Sequence, residues 1–341
     1  MNTEVKKYIS NIDKSCDILI LDECSTISNE DMKEIITYSN FKLIIMAGDP
    51  YQIESITFGN WFEILINFVP KKTYVFLEDT RRTENEELIN LWDKVRRYDD
   101  NVQEYLAKGK YCYNIDKNIL EKNDENEIIL CLNYDGLYGI NNVNRLIQQK
   151  NKNDSYFIGV NEYKIGDPIL FNENSEKYEP LLFNNAKGII SNIIRKDEEY
   201  KFYIELDKSI NELDLVDGVS LVGISSNKNS IIEIIIRGRT SSDNDNSEAS
   251  IPFNISYAVS IHKSQGLEYD SVKIIIVDEI EEMITHNIFY TAITRTKNKL
   301  KIYWSPNTQQ NILSSFTSGK NNKDAYIIAS KHGFKFISQN P

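Results

Sequence analysis

The sequence predicts an α/β fold interrupted by a β-rich insertion, and three observations lead there. Near both ends of the chain, short apolar runs that stop at turn residues alternate with helical stretches, the grammar of a parallel sheet. In the middle that alternation gives way to closely spaced β-type runs with polar turns between them. The chain has 341 residues, 41% hydrophobic and 26% charged, which is roughly two to three domains' worth with ample material for a core.

The first apolar run, Asp17-Ile-Leu-Ile-Leu21, ends in Asp22-Glu23 and reads as a strand. A polar helix is expected over Asn29 to Ser39, capped by Ser28 or Asn29. Lys42-Leu-Ile-Ile-Met-Ala47 is the next strand, stopped by Gly48-Asp49-Pro50. Helical periodicity continues over Phe58 to Phe68 and Asn85 to Arg97, with Thr73 to Leu77 as a strand between them. Glu127 to Leu132 opens a second strand–helix set whose helix spans Ile140 to Lys150. The character changes near Tyr163, and β runs follow at Pro168 to Phe171, Gly188 to Ile194, Tyr200 to Leu206 and Ser230 to Ile236. Thr240 to Ser250 is poor in hydrophobes and reads as a flexible return linker. The α/β grammar then resumes: helix Ser256 to Gln265, strand Val272 to Val277, helix Asn287 to Thr294, strand Leu300 to Trp304. Thr317 to Pro341 carries no legible chemistry.

Composition excludes several classes. The formal net charge is −12, which rules out a uniformly basic nucleic-acid coat and leaves room for a local basic groove. The start, Met1 to Ser15, has no apolar run of signal-peptide type, and no stretch reaches the ~18 apolar residues of a membrane helix. Cys16, Cys24, Cys112 and Cys131 lack C-x-x-C spacing and the 3 histidines are scattered, so neither a disulfide framework nor a structural zinc site is expected. A reduced, intracellular chain without a membrane partner is the expectation.

An apolar strand ending in two carboxylates sets them at the carboxyl edge of a sheet, where α/β folds bind ligands. There Asp22 could hold a magnesium ion through water, and Glu23 could accept a proton from the water that attacks a γ-phosphate. The second strand ends in Ala47-Gly-Asp-Pro-Tyr-Gln52, where Gly48 permits a tight turn, Pro50 stiffens it and the Gln52 amide can sense a phosphate and a water together.

With these residues in place the sequence resembles the superfamily 1 helicases, especially the RecD/Dda type. Leu21-Asp-Glu-Cys-Ser25 is similar to their motif II and Gly48-Asp-Pro-Tyr-Gln52 to motif III. Leu77-Glu-Asp-Thr-Arg-Arg82 is similar to motif IV, with Arg82 in the place of the nucleotide-facing arginine rather than Arg81. Tyr257-Ala-Val-Ser-Ile-His-Lys-Ser-Gln-Gly-Leu-Glu-Tyr269 resembles motif V most specifically, and Tyr290-Thr-Ala-Ile-Thr-Arg295 resembles motif VI.

The resemblance implies two RecA-like parallel-sheet cores, the first incomplete, with a small β-barrel or SH3-like insertion in the second that begins near Leu181 to Ile190. It places the first core at residues 1–110, the second at 111–160 and 251–316, the insertion at 161–250 and a tail at 317–341. It implies ATP and Mg²⁺ as cofactors and single-stranded DNA as partner, with RNA left open. Asp22, Glu23, Gln52, Arg82 and Arg295 take the catalytic roles, with Arg295 arriving from the second core. Gly48, Asp49, Gln265, Gly266 and Glu268 would hold the nucleotide, Glu268 at the ribose. Tyr257, His262, Lys263, Ser264, Asn133 and Tyr134 would meet the nucleic acid.

One family element is missing from the sequence. A phosphate loop needs G-x-x-x-x-G-K-[ST], the first glycine here is Gly48, and neither Gly109-Lys110 nor Gly319-Lys320 completes the pattern. The chain is therefore expected to be either part of a longer or split helicase or the partner of an upstream polypeptide that carries motif I, and to be inactive as an ATPase alone. The alternative is a non-catalytic nucleic-acid-binding or scaffold subunit derived from a helicase.

Overall fold

Ile18–Leu21 (β1) and Leu43–Met46 (β2) pair in parallel in the computed structural model, Ile18 opposite Leu43 and Leu21 opposite Met46. The structure describes residues 17–38, 40–55, 59–77, 80–121, 124, 126–172, 178–179, 181–182, 185–197, 199–237, 251–316 and 320–335. Helix α1 (Asn29–Tyr38) joins the two strands. Ser28 caps it, its hydroxyl accepting the Asp31 N–H at 3.0 Å, and Glu30 and Asp31 lie in the first turn where the helix dipole favours anions. Leu19, Ile27, Met32 and Ile35 form the core between sheet and helix. The expected helix over 58–68 is a short α2 (Trp61–Leu65) that ends in turns, and residues 56–58 lie outside the described set. Its Trp61 indole donates to the Ile27 carbonyl at 2.7 Å.

The strand expected at Thr73 to Leu77 does not form. Lys71–Thr73 is a 3₁₀ turn, and residues 74–77 run on without a ladder partner among the described residues, Val75 and Leu77 being 84% and 87% exposed. Apolar alternation makes a strand only where a neighbouring edge accepts its backbone groups. Helix α3 (Glu86–Arg96) follows as expected: Asn85 accepts the N–H groups of Glu87 and Leu88, and Leu88, Leu91, Trp92 and Val95 share one buried stripe. A further helix, α4 (Val102–Lys108), was not anticipated.

After the two-residue β3 (Cys112–Tyr113), β4 (Glu127–Cys131) leads into α5 (Ile140–Gln148). A hairpin, β5 (Ser155–Ile158) with β6 (Asn161–Lys164), precedes the β-rich region. That region comprises β7 (Pro168–Phe171), β8 (Lys187–Lys196), β9 (Glu199–Leu206), β10 (Val219–Ile224), β11 (Ser230–Arg237) and β12 (Phe253–Ile255). Where a small barrel was expected, these strands make one six-stranded sheet of order β10-β11-β9-β8-β7-β12 with antiparallel pairing. It also takes in residues beyond the expected limit at 250. Alternate positions of β9 are buried, so Tyr200, Phe202, Ile204 and Leu206 all face its core. The linker expected at 240–250 lies outside the described residues.

The helix expected at Ser256 to Gln265 is overturned. Ala258–Ser260 (β13) pairs in parallel with Ile129–Cys131, and the chain then turns over 261–266. Pairing with β4 overrides the weak helical spacing of this segment. Strand β14 (Tyr269–Ile275) lies on the other side of β4, also parallel to it. Helix α6 (His286–Ile293) and β15 (Thr296–Tyr303) match expectation, and β15 enters the five-stranded sheet β13-β4-β14-β15-β3. Helices α7 (Pro306–Ser315) and α8 (Lys320–His332) were not anticipated, although Ser305 and Pro306 form a proper start for the first.

The chain divides into two compact units, one of Met1–Cys112, Asp278–Asn298 and Ser305–Pro341, the other of Tyr113–Val277 and Lys299–Trp304. This differs from the expected boundaries, because α6 and Arg295 fall in the unit of β1 and β2 rather than in that of β13. Among the described residues no helix is long and apolar enough to cross a membrane.

Candidate active site

In the first unit the sheet ladder runs straight into the acidic pair. The Ala47 N–H donates to the Leu21 carbonyl at 2.8 Å and the Cys24 N–H to the Ala47 carbonyl at 2.9 Å, so the turns after β1 and β2 lie against each other. Gly48 is a glycine for this reason: a Cβ there would stand 2.9 Å from the Cys24 backbone nitrogen. Glu23 sits in the left-handed region, φ 50° and ψ 44°, an arrangement that costs a side-chain-bearing residue on the order of 1 kcal/mol. Its carbonyl accepts both the N–H and the hydroxyl of Thr26, at 2.9 and 2.8 Å, and the Asp22 carboxylate accepts its N–H at 2.8 Å. Burial raises the Glu23 carboxyl above its ordinary value; Asp22 and Asp49 push the same way, while Arg295 and Arg82 oppose them. Burial also pushes the neighbouring Cys24 thiol up to about 11, which leaves it inert.

Arg295 is 1% exposed and donates from Nη2 to the Gln52 amide oxygen at 3.1 Å and from Nε to the Thr291 carbonyl at 3.1 Å. Burial, followed by the nearby Arg82 guanidinium, pulls its pKa down to about 10, still high enough to keep the cation at neutral pH. The motif III turn is held from several sides. The Asp49 carboxylate accepts the Tyr51 N–H at 3.0 Å and bonds the Tyr290 hydroxyl, and the Ile53 N–H donates to the Thr291 hydroxyl at 2.9 Å. Arg82 donates from Nη1 to the Thr294 carbonyl, and the Trp92 indole donates to the Ile293 carbonyl at 3.2 Å. Asp22, Glu23, Gly48, Asp49, Gln52, Arg82 and Arg295 thus share one unit, and Arg295 reaches Gln52 inside it instead of approaching from a separate core. Two guanidiniums beside carboxylates at a strand's carboxyl end suit a magnesium-bound polyphosphate.

The remaining predicted residues belong to the second unit. β4 and β13 are adjacent and parallel, so the loops after them, with Asn133 and Tyr134 on one and His262, Lys263 and Ser264 on the other, leave the same edge of the sheet. Ser260 organises the second loop, its hydroxyl accepting the Lys263 N–H at 3.0 Å. Lys263 and Tyr134 are exposed and His262 is half-buried, its imidazole pKa lowered by burial. Ser264 is fully buried, with its hydroxyl donated to the Ile261 carbonyl at 2.7 Å and its N–H and carbonyl bonded to Ser260 and Leu267, so it braces the turn from within. Tyr257 is committed elsewhere: its hydroxyl donates to Asp167 at 2.8 Å. Gln265 carries a buried amide nitrogen with no partner among the described residues, and Gly266 has φ +75°. The Glu268 carbonyl accepts from the Lys187 ammonium at 3.2 Å. Beside Tyr134, a cleft of about 330 Å³ is lined by Asp135, Gly136, Asn141, Asn142 and Arg145.

A profile of the UvrD-like helicase C-terminal domain matches residues 256–303, and a profile of an AAA domain matches residues 3–111. The RecBCD enzyme subunit RecD of Buchnera aphidicola subsp. Schizaphis graminum is 26% identical over 194 residues, 55% of this chain and 26% of that protein. The ATP-dependent DNA helicase Pif1 of Campylobacter jejuni is 24% identical over 345 residues, 85% of this chain and 70% of that one. In fold, the chain is similar to the Pif1 helicase from Bacteroides crystallised with ADP-AlF3 and ssDNA, with TM-score 0.55 and 16% identity over 99% of this chain and 80% of that one. Pif1 from Candida albicans gives TM-score 0.56 and 13% identity, over 97% and 82%. These matches bear out the resemblance of the chain to the RecD- and Pif1-type helicases of superfamily 1. It spans about a quarter of the length of the RecD subunits it matches.

For this RecD/Pif1-like chain, sequence reasoning missed the residues that brace the site. Thr291 and Tyr290 stand inside the motif VI string without a signal separating them from their neighbours. Asp167 is fully buried and accepts from Gln148 at 2.6 Å, Asn151 at 2.9 Å, the Lys164 N–H at 2.8 Å and Tyr257 at 2.8 Å. The turn dipeptide Gly166-Asp167 marks its position in the sequence but not its partners.

Proposed function

We propose that this RecD/Pif1-like chain is part of an ATP-dependent DNA helicase or translocase that couples hydrolysis to movement along single-stranded DNA. The observation that carries the reading is the meeting of Arg295 and Gln52, with Glu23, Asp49 and Arg82 in the same electrostatic cluster. Motif VI and motif III residues far apart in sequence make one phosphate-directed group, as a nucleotide-operated switch requires. Glu23, with its pKa raised, serves as the base toward the attacking water, and Gln52 orients that water. The guanidiniums of Arg82 and Arg295 neutralise charge on the phosphoryl oxygens. Asp22 would hold a magnesium ion through water, and that ion would supply charge neutralisation at the phosphates.

The DNA arm rests on the Bacteroides relative, which was crystallised with ssDNA, and on the exposed Lys263 and Tyr134 on adjacent loops. An intracellular setting belongs to this reading, with Cys24, Cys112 and Cys131 as free thiols. The sequence contains no G-x-x-x-x-G-K-[ST], so hydrolysis awaits an upstream polypeptide segment that supplies this loop. The test is a DNA-stimulated ATPase assay of the chain joined to, or mixed with, such a segment. ATPase that appears, and falls ~10²-fold or more in Glu23→Gln, supports the enzyme. A silent assay with intact single-stranded DNA binding assigns the chain to a non-catalytic subunit.

A further inference from the structure

Thr291 occupies an unusual place in the first unit. It is 0% exposed, and two of its atoms serve opposite sides of the phosphate-directed pair. Its hydroxyl oxygen accepts the N–H of Ile53 at 2.9 Å, the residue directly after Gln52. Its carbonyl accepts Nε of Arg295 at 3.1 Å and the hydroxyl of Thr294 at 3.0 Å. Gln52 and Arg295 are themselves joined at 3.1 Å. Four groups therefore close a ring: Thr291 hydroxyl, Ile53 amide, Gln52 side chain, Arg295 guanidinium and back to Thr291.

We infer that Thr291 is a positioning residue that fixes the Gln52 amide against the Arg295 guanidinium, through its hydroxyl on the motif III backbone and its carbonyl on Arg295. The carbonyl contact is open to any residue in a helix; the hydroxyl contact needs threonine or serine. A valine at 291 would fill the same volume yet leave the buried Ile53 N–H without its acceptor. A methyl group near that N–H moves the turn after Asp49, and Gln52 moves with it. The geometry demanded of groups that orient a water and a phosphate is tight, so a small displacement is enough to matter. The role rests on the phosphate reading of the site given above, although the ring itself does not.

The experiment compares Thr291→Val, Thr291→Ala and Thr291→Ser with the unaltered chain, using ¹⁵N-arginine-labelled protein and amide hydrogen exchange. Gln52→Ala provides the reference position of the Arg295 Nε–H resonance when its partner is gone. Expected is an Ile53 amide that exchanges ~10-fold faster or more in Thr291→Val and Thr291→Ala, together with an Arg295 resonance displaced toward its Gln52→Ala position. Thr291→Ser should keep both signals where the unaltered chain has them. An Arg295 resonance unmoved in both Thr291→Val and Thr291→Ala overturns the inference, because a merely packed threonine would behave that way.

A second arm, run on the chain joined to a segment that supplies the phosphate loop, measures affinity for ADP against ADP with aluminium fluoride. Preference for the fluoride complex that narrows ~10-fold in Thr291→Val, with ADP affinity unchanged, supports the role at the phosphate end. Displacement of the Arg295 resonance in a chain that shows no such preference to begin with upholds the positioning role and overturns the phosphate reading.

Discussion

Arg295 and Gln52 stand 243 positions apart in the chain and are joined by a 3.1 Å hydrogen bond from a guanidinium that is almost wholly buried. A buried cation needs its donors satisfied, and the planar fork of arginine presents five of them in fixed directions. Thr291 and Gln52 accept from it directly, and the Glu23 and Asp49 carboxylates add electrostatic support for the charge. The charge that would later face a phosphate is thus held ready by the protein's own oxygens.

Gln52→Ala removes one of those oxygens and leaves Nη2 of Arg295 short of an acceptor. The expected cost is ~1–3 kcal/mol in urea-induced unfolding. Arg295→Lys keeps the charge and loses the two-directional contact, so it should lower stability while the chain stays folded and, in a chain joined to a phosphate-loop segment, disable the proposed nucleotide response. Fluorescence-monitored unfolding of the single and double variants checks this. If the two substitutions cost the sum of their separate effects, within ~0.5 kcal/mol, the pair is not coupled.

Glu23 supplies the pH dependence. Burial raises its pKa, so the folded chain holds the proton to a higher pH than the unfolded chain does. The stability this contributes is fully present below the ordinary value of 4.5 and is lost as pH rises through the raised folded value. Glu23→Gln removes that loss. The melting temperature of the variant should gain on that of the unaltered chain as pH climbs through this window, and the gap should close again below it. Melting curves from pH 4 to pH 8 test this, and parallel curves would place Glu23 in solvent. In the assembled enzyme the same raised value would set the acid limb of the rate profile.

How much of this was legible before the structure depends on range. β1 and β2 were plain, since each couples a four-residue apolar run to a stop signal within a few positions. Asp22, Glu23, Gly48 and Gln52 follow directly from those stops. The failures at 73–77 and 256–265 come from pairing: a segment becomes a strand when an edge accepts it, and neither β4's demand for β13 nor the lack of a partner at 74–77 is written locally. Thr291 and Asp167 were invisible for a related reason. Their importance lies in partners many positions away, Ile53 for the one and Tyr257 for the other. Arg295 was found through its motif, yet the unit it belongs to was not.

Asp167 carries the next prediction. Both of its oxygens are filled by donors from α5 and the residues after it, from β6 and from the start of motif V, all in the second unit. Asp167→Asn turns one acceptor into a donor that faces donors, which should cost ~2–4 kcal/mol from two broken contacts and their unsatisfied partners. Tyr257→Phe removes a single hydroxyl and should cost ~1 kcal/mol. Hydrogen exchange localised to the second unit would separate these losses from effects in the first. Equal costs for the two variants would show that the carboxylate is not the hub.

The proposed nucleic-acid face gives the last. The net charge of −12 means that attraction for a polyanion must come from a few local cations, and among the predicted contact residues Lys263 is the exposed cation. Single-strand binding follows the logarithm of salt with a slope of ~0.7 per phosphate neutralised. Lys263→Ala should therefore weaken binding to single-stranded DNA and flatten that slope by ~0.7. His262 behaves differently, because burial lowers its pKa and it is neutral at pH 7. Its stabilising effect on the fold is present above the ordinary imidazole value of 6.5 and is lost as pH falls through the lowered folded value. DNA affinity should accordingly stay flat between pH 6.5 and pH 8, with only the Lys263 term visible in a salt titration. A slope unchanged in Lys263→Ala would move the contact surface away from the loop after β13.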